Sequence, residues 1–522
     1  MTLSDCLACS GCITSAETVL LQAQSAEEFK TNCRAAAASN GARAVVVTVS
    51  PQSRVSLAHA AGLNPLDAAE RLTGFFKAAG AARVFDSSAG RDFALLESCE
   101  EFVTRYRARR GMVPTTGMVP NSGVPTSGVP TSGVPPSSDA VAPLPVLTSA
   151  CPGWVCYAEK THGPATLRHV SAVKSPQAIM GTIVKRRVAA ALGLPPSAVY
   201  HATVMPCFDK KLEASRDDFR DEHGVPDVDC VLTTGEVAEM LAEAAGHGDA
   251  NGDPAKVRAG AAALASVAPA PLDGWLACAG GSRDDRGNAG WLWGSSVAGG
   301  GGGSGGYLDV VFRHAARELF GVEVTGPLEY KIPRARNPDL REVTLEVDGR
   351  VALRFAAAYG FRNIQNVVRK LKTPGAVAGS GSASGPGGYD FVEIMACPGG
   401  CLNGGGQLPP PPAYEPGFRL PSDQPIPATL GGMSAKELLD ELDAAYHDGR
   451  VGAQGAGMVV GRRAIDNPEV AAAYREWIGD GVGSARAAAV LRTRYHDRGA
   501  EAAAAAGGTA AAAAQLKITS DW

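Results

Sequence analysis

Four cysteines set the tightest limit on how this chain can fold. Cys151 stands in "TSACPGW", Cys207 in "MPCFDKK", and Cys397 and Cys401 in "EIMACPGGCLNGGGQ". Each comes after an apolar, strand-like run and before turn residues. Thiols at the carboxyl ends of strands point to an open α/β sheet, because such sheets gather ligands there. The placement allows all four to converge on one buried site. Spacing alone does not require it, since C-x3-C is a weak metal pattern.

The surrounding pattern supports α/β layers. "AVVVTV" is a continuous β-branched run, the kind buried on both faces of a parallel sheet. "PLDAAERLTGFFKAAG" reads as a helix starting at Pro65, "RVFD" as the next strand and "FALLESCEEFVTRYRARR" as another helix. "VYHATVMPC", "VDCVLTTGEVAEMLAEA" and "YDFVEIMACPGG" continue the alternation. Between these runs lie tracts that cannot form a packed core. The largest is "GMVPTTGMVPNSGVPTSGVPTSGVPPSS"; its Pro and Gly content suits a solvated insertion. Others are the glycine run near 300 and "AVAGSGSASGPGG".

With 522 residues, 45% of them hydrophobic, the chain can build about two to four domains. Its net charge of -4 offers no basic face for nucleic acid. No apolar run is long enough for a membrane span, and the N-terminus lacks the form of a signal peptide. A cytosolic or nuclear setting keeps thiols reduced, so twelve cysteines favour metal ligation over disulfides.

A second cysteine group opens the chain. "CLACSGC" places Cys6, Cys9 and Cys12 at C-x2-C-x2-C spacing, which suits three corners of a 4Fe–4S cubane. Zinc sites more often pair two separated C-x2-C units. The nearest further thiol, Cys33, lies beyond "AETVLLQAQSAEEF", read as a helix. Cys99 and Cys230 fall in apolar patterns and read as small buried hydrophobes.

Taken together, "TSACPGW", "MPCFDKK" and "EIMACPGGCLNGGGQ" resemble, in order, the three motifs of the iron-only hydrogenases, and "VKSPQAIMG" also resembles that family. "LSDCLACSGCITSAETVLL" and "VVTVSPQSRVSLA" are similar to one branch of it, the nuclear prelamin A recognition factor-like proteins of cytosolic iron–sulfur assembly. The resemblance implies an α/β, two-lobed, iron-only hydrogenase-like body with parallel sheets, preceded by a short iron–sulfur segment. It implies two 4Fe–4S clusters. Cys151, Cys207, Cys397 and Cys401 would hold the inner one, with Cys151 and Cys207 from one lobe and Cys397 and Cys401 from the other. Cys6, Cys9 and Cys12 would hold the outer one. The family's fourth outer cysteine lies well upstream, whereas five residues precede Cys6, so the outer site is expected to lack a ligand and the N-terminus to be truncated.

The same resemblance implies a carrier and adaptor in place of an enzyme. In true hydrogenases the position of Ala150 holds a cysteine that relays protons to a two-iron centre, and the positions of Lys210 and Met205 contact that centre. A methyl group has no exchangeable proton, whereas a thiol titrates near ~8.5. The implied function is to bind 4Fe–4S clusters and bridge an early scaffold to a late targeting complex that serves apo clients, in the cytoplasm and also the nucleus. An active hydrogenase and an electron-transfer protein are the alternatives. Trp522, after an acidic residue at the end of an Ala-rich tail, resembles the terminal tryptophans that engage the targeting complex. The expected domains are an iron–sulfur segment (1–40), a hydrogenase-like body (41–427), a helical region (428–498) and the Ala-rich tail (499–522). Insertions are expected at 111–142, 294–306 and 373–388.

Overall fold

The computed structural model describes residues 23–112, 142–248, 252–274, 303–372, 388–411, 432–448 and 463–505. Cys6, Cys9, Cys12 and Trp522 lie outside them. Two four-stranded sheets organise the described residues. The first has the order β2 (Arg83–Asp86), β1 (Ala44–Val49), β4 (Val199–Met205), β5 (Cys230–Thr233), and all its pairings are parallel. The second has the order β3 (Val146–Thr148), β8 (Phe391–Met395), β7 (Arg350–Tyr359), β6 (Leu340–Val347). In it β3, β8 and β7 run parallel, and β6 closes an antiparallel hairpin with β7.

Local chemistry explains how each parallel strand hands over to a helix. All six residues of β1 are buried, as its unbroken β-branched run requires. Ser50 then caps the helix Pro51–Ala61 by accepting from the Ser53 N–H, and Pro51 supplies a preset first turn. After β5, Thr233 and Glu236 form a reciprocal capping box at the start of helix Thr234–Ala244. After β3, Cys151 is itself the N-cap of helix Pro152–Thr161, with Pro152 in the first turn. The strand ends are thus tight turns that fix side chains at the top of each sheet.

Each sheet has its own core. Phe29, Phe76, Val45, Val47 and Leu232 are buried around the first sheet. Around the second, Phe355 packs at 4.9 Å from both Phe102 and Phe391. The long helix Ser88–Arg109 follows β2 of the first sheet yet buries Phe102 in the second core, so it bridges the lobes. The region 463–505 packs onto this helix: Glu97, fully buried, accepts from Tyr474, the Gly483 N–H and Arg492. No helix among the described residues is long and apolar enough to cross a membrane.

Two sequence expectations need correction. The helix expected over "AETVLLQAQSAEEF" is described only from its end; the observed helix is Ala26–Ala37, capped by Ser25, and it carries Cys33 into the first core. Of the stretch 294–306, expected as a low-complexity insertion, residues 303–306 are described. There the Gly303 carbonyl accepts from Gln52, and Ser304 is buried. Cys151 also does not share a lobe with Cys207. β3 pairs with β8, so Cys151 belongs with Cys397 and Cys401 on the second sheet, and Cys207 alone comes from the first.

Candidate metal centre

β3 and β8 end side by side, the glycine-rich loop after β8 reaches the end of β4, and the four cysteines follow those three ends. Cys151 is held from both sides. Its N–H donates to Ser149 Oγ at 3.0 Å, while Ser149 donates to the Ile394 carbonyl at 2.6 Å. Its Sγ accepts from the Ala396 N–H at 3.5 Å, one residue before Cys397. Cys397 and Cys401 share a tight turn in which the Gly400 N–H donates to the Cys397 carbonyl. Gly400 has φ of 81° and ψ of -160°, a positive-φ conformation that glycine adopts without penalty. The Cys401 N–H donates to Ser304 Oγ at 2.9 Å, and Cys401 Sγ lies 3.9 Å from Met395 Sδ.

The glycine-rich end of the third motif reaches across to the first lobe. The Gly406 N–H donates to the Pro206 carbonyl at 2.9 Å, and the Gly406 carbonyl accepts from the Gly235 N–H at 3.0 Å. At Gly404 a Cβ would stand 2.3 Å from the Pro206 oxygen, so the absence of a side chain there is what lets this loop lie against the Cys207 loop. The hydrogen bonds therefore tie Cys151 to the residue before Cys397, and the glycine-rich loop after Cys401 to the residue before Cys207.

The surroundings are partly shielded from solvent. Cys151 is buried, and Cys207, Cys397 and Cys401 are half-buried. Leu402 packs with Val55, Leu438, Leu442 and Tyr446, so the helix Ala435–Asp448 covers the Cys401 turn. Burial, with the charges of Asp209 and Cys401 adding to it, pushes the Cys151 thiol up to about 12. Such a thiol stays protonated unless a strong cation replaces the proton. The donor set of four thiols is soft, which suits iron–sulfur chemistry or zinc over hard cations. Among the described residues no three His, Cys, Asp or Glu side chains are placed to hold a single metal ion. A cubane takes each thiolate at a separate corner, so its ligands need not crowd on one point. The residues present fit such a group.

Other positions raised by the sequence are also described. Ala150 borders a cavity of about 30 Å³ that is also lined by Ser149, Ser175, Glu213, Arg216 and Tyr495. Lys210 is buried and pairs with Glu213 at 2.8 Å, and Glu213 also accepts from Ser175. Met205 packs in a small core with Ala214, Val228 and Val231. Cys33, Cys99 and Cys230 are buried, as small hydrophobes would be. Ser149 and Ser304 position the cysteine loops but escaped the sequence reading. Ser149 stood in the quoted first motif, and an N–H-accepting hydroxyl two residues before the thiol was the available signal. Ser304 sat in a glycine tract that carried none.

Known proteins resemble this chain in sequence and in fold. Residues 43–405 match the family model "Iron only hydrogenase large subunit, C-terminal domain". "Cytosolic iron-sulfur assembly component 3" of Bos taurus is 44% identical over 95% of this chain and 84% of that one. "Protein NAR1" of Arabidopsis thaliana is 40% identical over 95% and 86%. "Cytosolic Fe-S cluster assembly factor narfl" of Danio rerio is 42% identical over 93% and 95%. Among solved structures, a variant of the [FeFe]-hydrogenase HydA1 from Chlamydomonas reinhardtii shares the fold, with a TM-score of 0.60 at 22% identity over 88% of this chain and 95% of that one. The chain belongs to the iron-only hydrogenase large-subunit family, in the branch of the NARF/NAR1 cytosolic iron–sulfur assembly factors.

Proposed function

We propose that this protein is a cytosolic iron–sulfur assembly factor that holds a 4Fe–4S cluster on Cys151, Cys207, Cys397 and Cys401. One observation supports the reading: Cys151 Sγ accepts from the N–H beside Cys397 and the loop after Cys401 hydrogen-bonds to the residue before Cys207, so three loops from two lobes, far apart in sequence, lie together. When bound, the cluster supplies exchangeable iron–thiolate bonds and one-electron chemistry. The chain's own residues do the rest. Ser149 and Ser304 orient the Cys151 and Cys401 backbone, and Leu402, Leu438 and Tyr446 keep water from the turn. Cys6, Cys9 and Cys12 would hold a second, outer cluster with three ligands. Trp522 would engage the late targeting complex, while the body receives clusters from an early scaffold for apo clients. The setting is the cytosol, with the nucleus as a second site of action.

Hydrogen turnover is disfavoured by the residues themselves. Ala150 offers no proton, and Lys210 is tied to Glu213. The names of the relatives support an assembly role. The test is anaerobic reconstitution of Cys207→Ala and Cys397→Ala, followed by iron and sulfide assay and visible absorbance. A large loss of the inner-cluster signal is expected; unchanged absorbance would end the reading. Hydrogen evolution from reduced methyl viologen by the wild type would favour the hydrogenase alternative.

A further inference from the structure

A basic, partly apolar loop stands beside the Cys397–Cys401 turn. Residues 329–336 read "EYKIPRAR". Lys331, Arg334 and Arg336 are exposed, and so is Arg362 at the start of helix Phe361–Lys372. Ile332, between these cations, is the most exposed large apolar side chain among the described residues, at 45%. Glu329 is an exposed carboxylate in the same stretch and Asp339 a half-buried one just after it, so the four cations outnumber the two anions. None of the four cations pairs with a carboxylate among the described residues.

The loop is built into the site. Lys331 and Glu342 exchange both backbone hydrogen bonds at 2.8 Å, which fixes the loop to the edge strand β6. The Asn337 N–H donates to the Arg334 carbonyl, and the Asn337 and Asn363 amides bond each other. Asp339 Oδ1 then accepts from the Gly399 N–H at 2.7 Å, inside the cysteine turn. The backbone that carries the cations and the isoleucine is thus fixed and tied to the Cys397–Cys401 turn, which lowers the ordering cost of docking.

We propose that this loop is the docking surface for the cluster-donating partner, and that the partner presents an acidic protein face with a small apolar socket for Ile332. This rests on the assembly reading above. A protein is favoured over nucleic acid because the patch is short, centres on an aliphatic side chain, and sits on a chain of net charge -4. Complementary charge would steer encounter and set register, while Ile332 would supply contact that salt does not screen.

The test measures binding of the full chain to the purified scaffold protein across ionic strength. Three variants are compared: Lys331→Glu/Arg334→Glu/Arg336→Glu, Ile332→Ser, and the control Arg109→Glu/Arg369→Glu/Lys372→Glu. The control changes exposed cations at the other end of helix Phe361–Lys372 and at the end of helix Ser88–Arg109. The loop reversal should weaken binding by about tenfold or more at physiological salt and flatten its salt dependence, with iron content unchanged. Ile332→Ser should weaken it at every salt concentration, and the control should have little effect. Equal losses in loop and control variants would overturn the proposal. So would unchanged scaffold binding by the loop reversal, with or without a loss of duplex-DNA binding. Absence of scaffold binding by the wild type would instead remove the assembly reading, and this inference with it.

Discussion

Gly404→Ala isolates the contact that joins the two lobes at the cysteines. Gly404 has φ -66° and ψ 144°, a conformation open to any residue, so alanine adds no backbone strain. The cost is steric. The added Cβ would stand 2.3 Å from the Pro206 oxygen and 3.1 Å from the Cys401 oxygen. Overpacking of this kind costs about 1–3 kcal/mol. The Pro206 carbonyl accepts from the Gly406 N–H, so swinging it aside forfeits a further ~1 kcal/mol. Strain is relieved by moving the Cys207 loop away from the Cys401 loop. If both loops must close on one cluster, about 2–4 kcal/mol becomes a loss of about 30- to 1,000-fold in retention. The assay is iron release to a chelator from anaerobic protein, alongside a denaturant midpoint. Gly321→Ala serves as control. Gly321 has φ of 67° with open space around it, so alanine there costs about 1 kcal/mol of stability away from the cysteines. Retention of iron by Gly404→Ala at the wild-type rate, or equal loss in the control, would refute the reasoning.

Other outcomes follow from the same structure. Ser304→Ala leaves the Cys401 N–H without its acceptor in a half-buried turn; about 1 kcal/mol should be lost, read as faster iron release. Glu159 is fully buried and accepts from Arg216, Arg498 and the His496 N–H, so Glu159→Gln should lower the denaturant midpoint by about 3 kcal/mol equivalent. Burial holds the His201 imidazole down at about 3 and His169 at about 4. These bases take up protons in the unfolded chain before they do so in the folded one. Their stabilisation is therefore complete above the unfolded value near ~6.5 and is lost as pH falls toward 3. His201→Gln should flatten that acid limb of the midpoint-versus-pH curve; an unaltered slope would contradict the assignment.

Local signals carried much of this molecule. The β-branched run at 44–49, the Ser–Pro and Asn–Pro helix starts, and the capping box at Thr233 depend on neighbours in sequence, and they stand where their chemistry puts them. The four cysteines were legible too, because each sits in a strand-to-turn step with its own residue pattern. The pairing of β3 with β8 was not. It joins residues 146–148 to 391–393, and three residues of strand carry no mark of their partner. That pairing decides that Cys151 stands with Cys397 instead of Cys207. Ser304 was hidden for a related reason: a glycine tract has no side-chain pattern, and the contact that orders its end lies on the Cys401 turn. The sequence by itself determined which residues end strands and start helices, since propensity and capping act within a few residues. Only the tertiary structure decided which ends meet, because burial and close backbone approach are set by segments hundreds of residues apart.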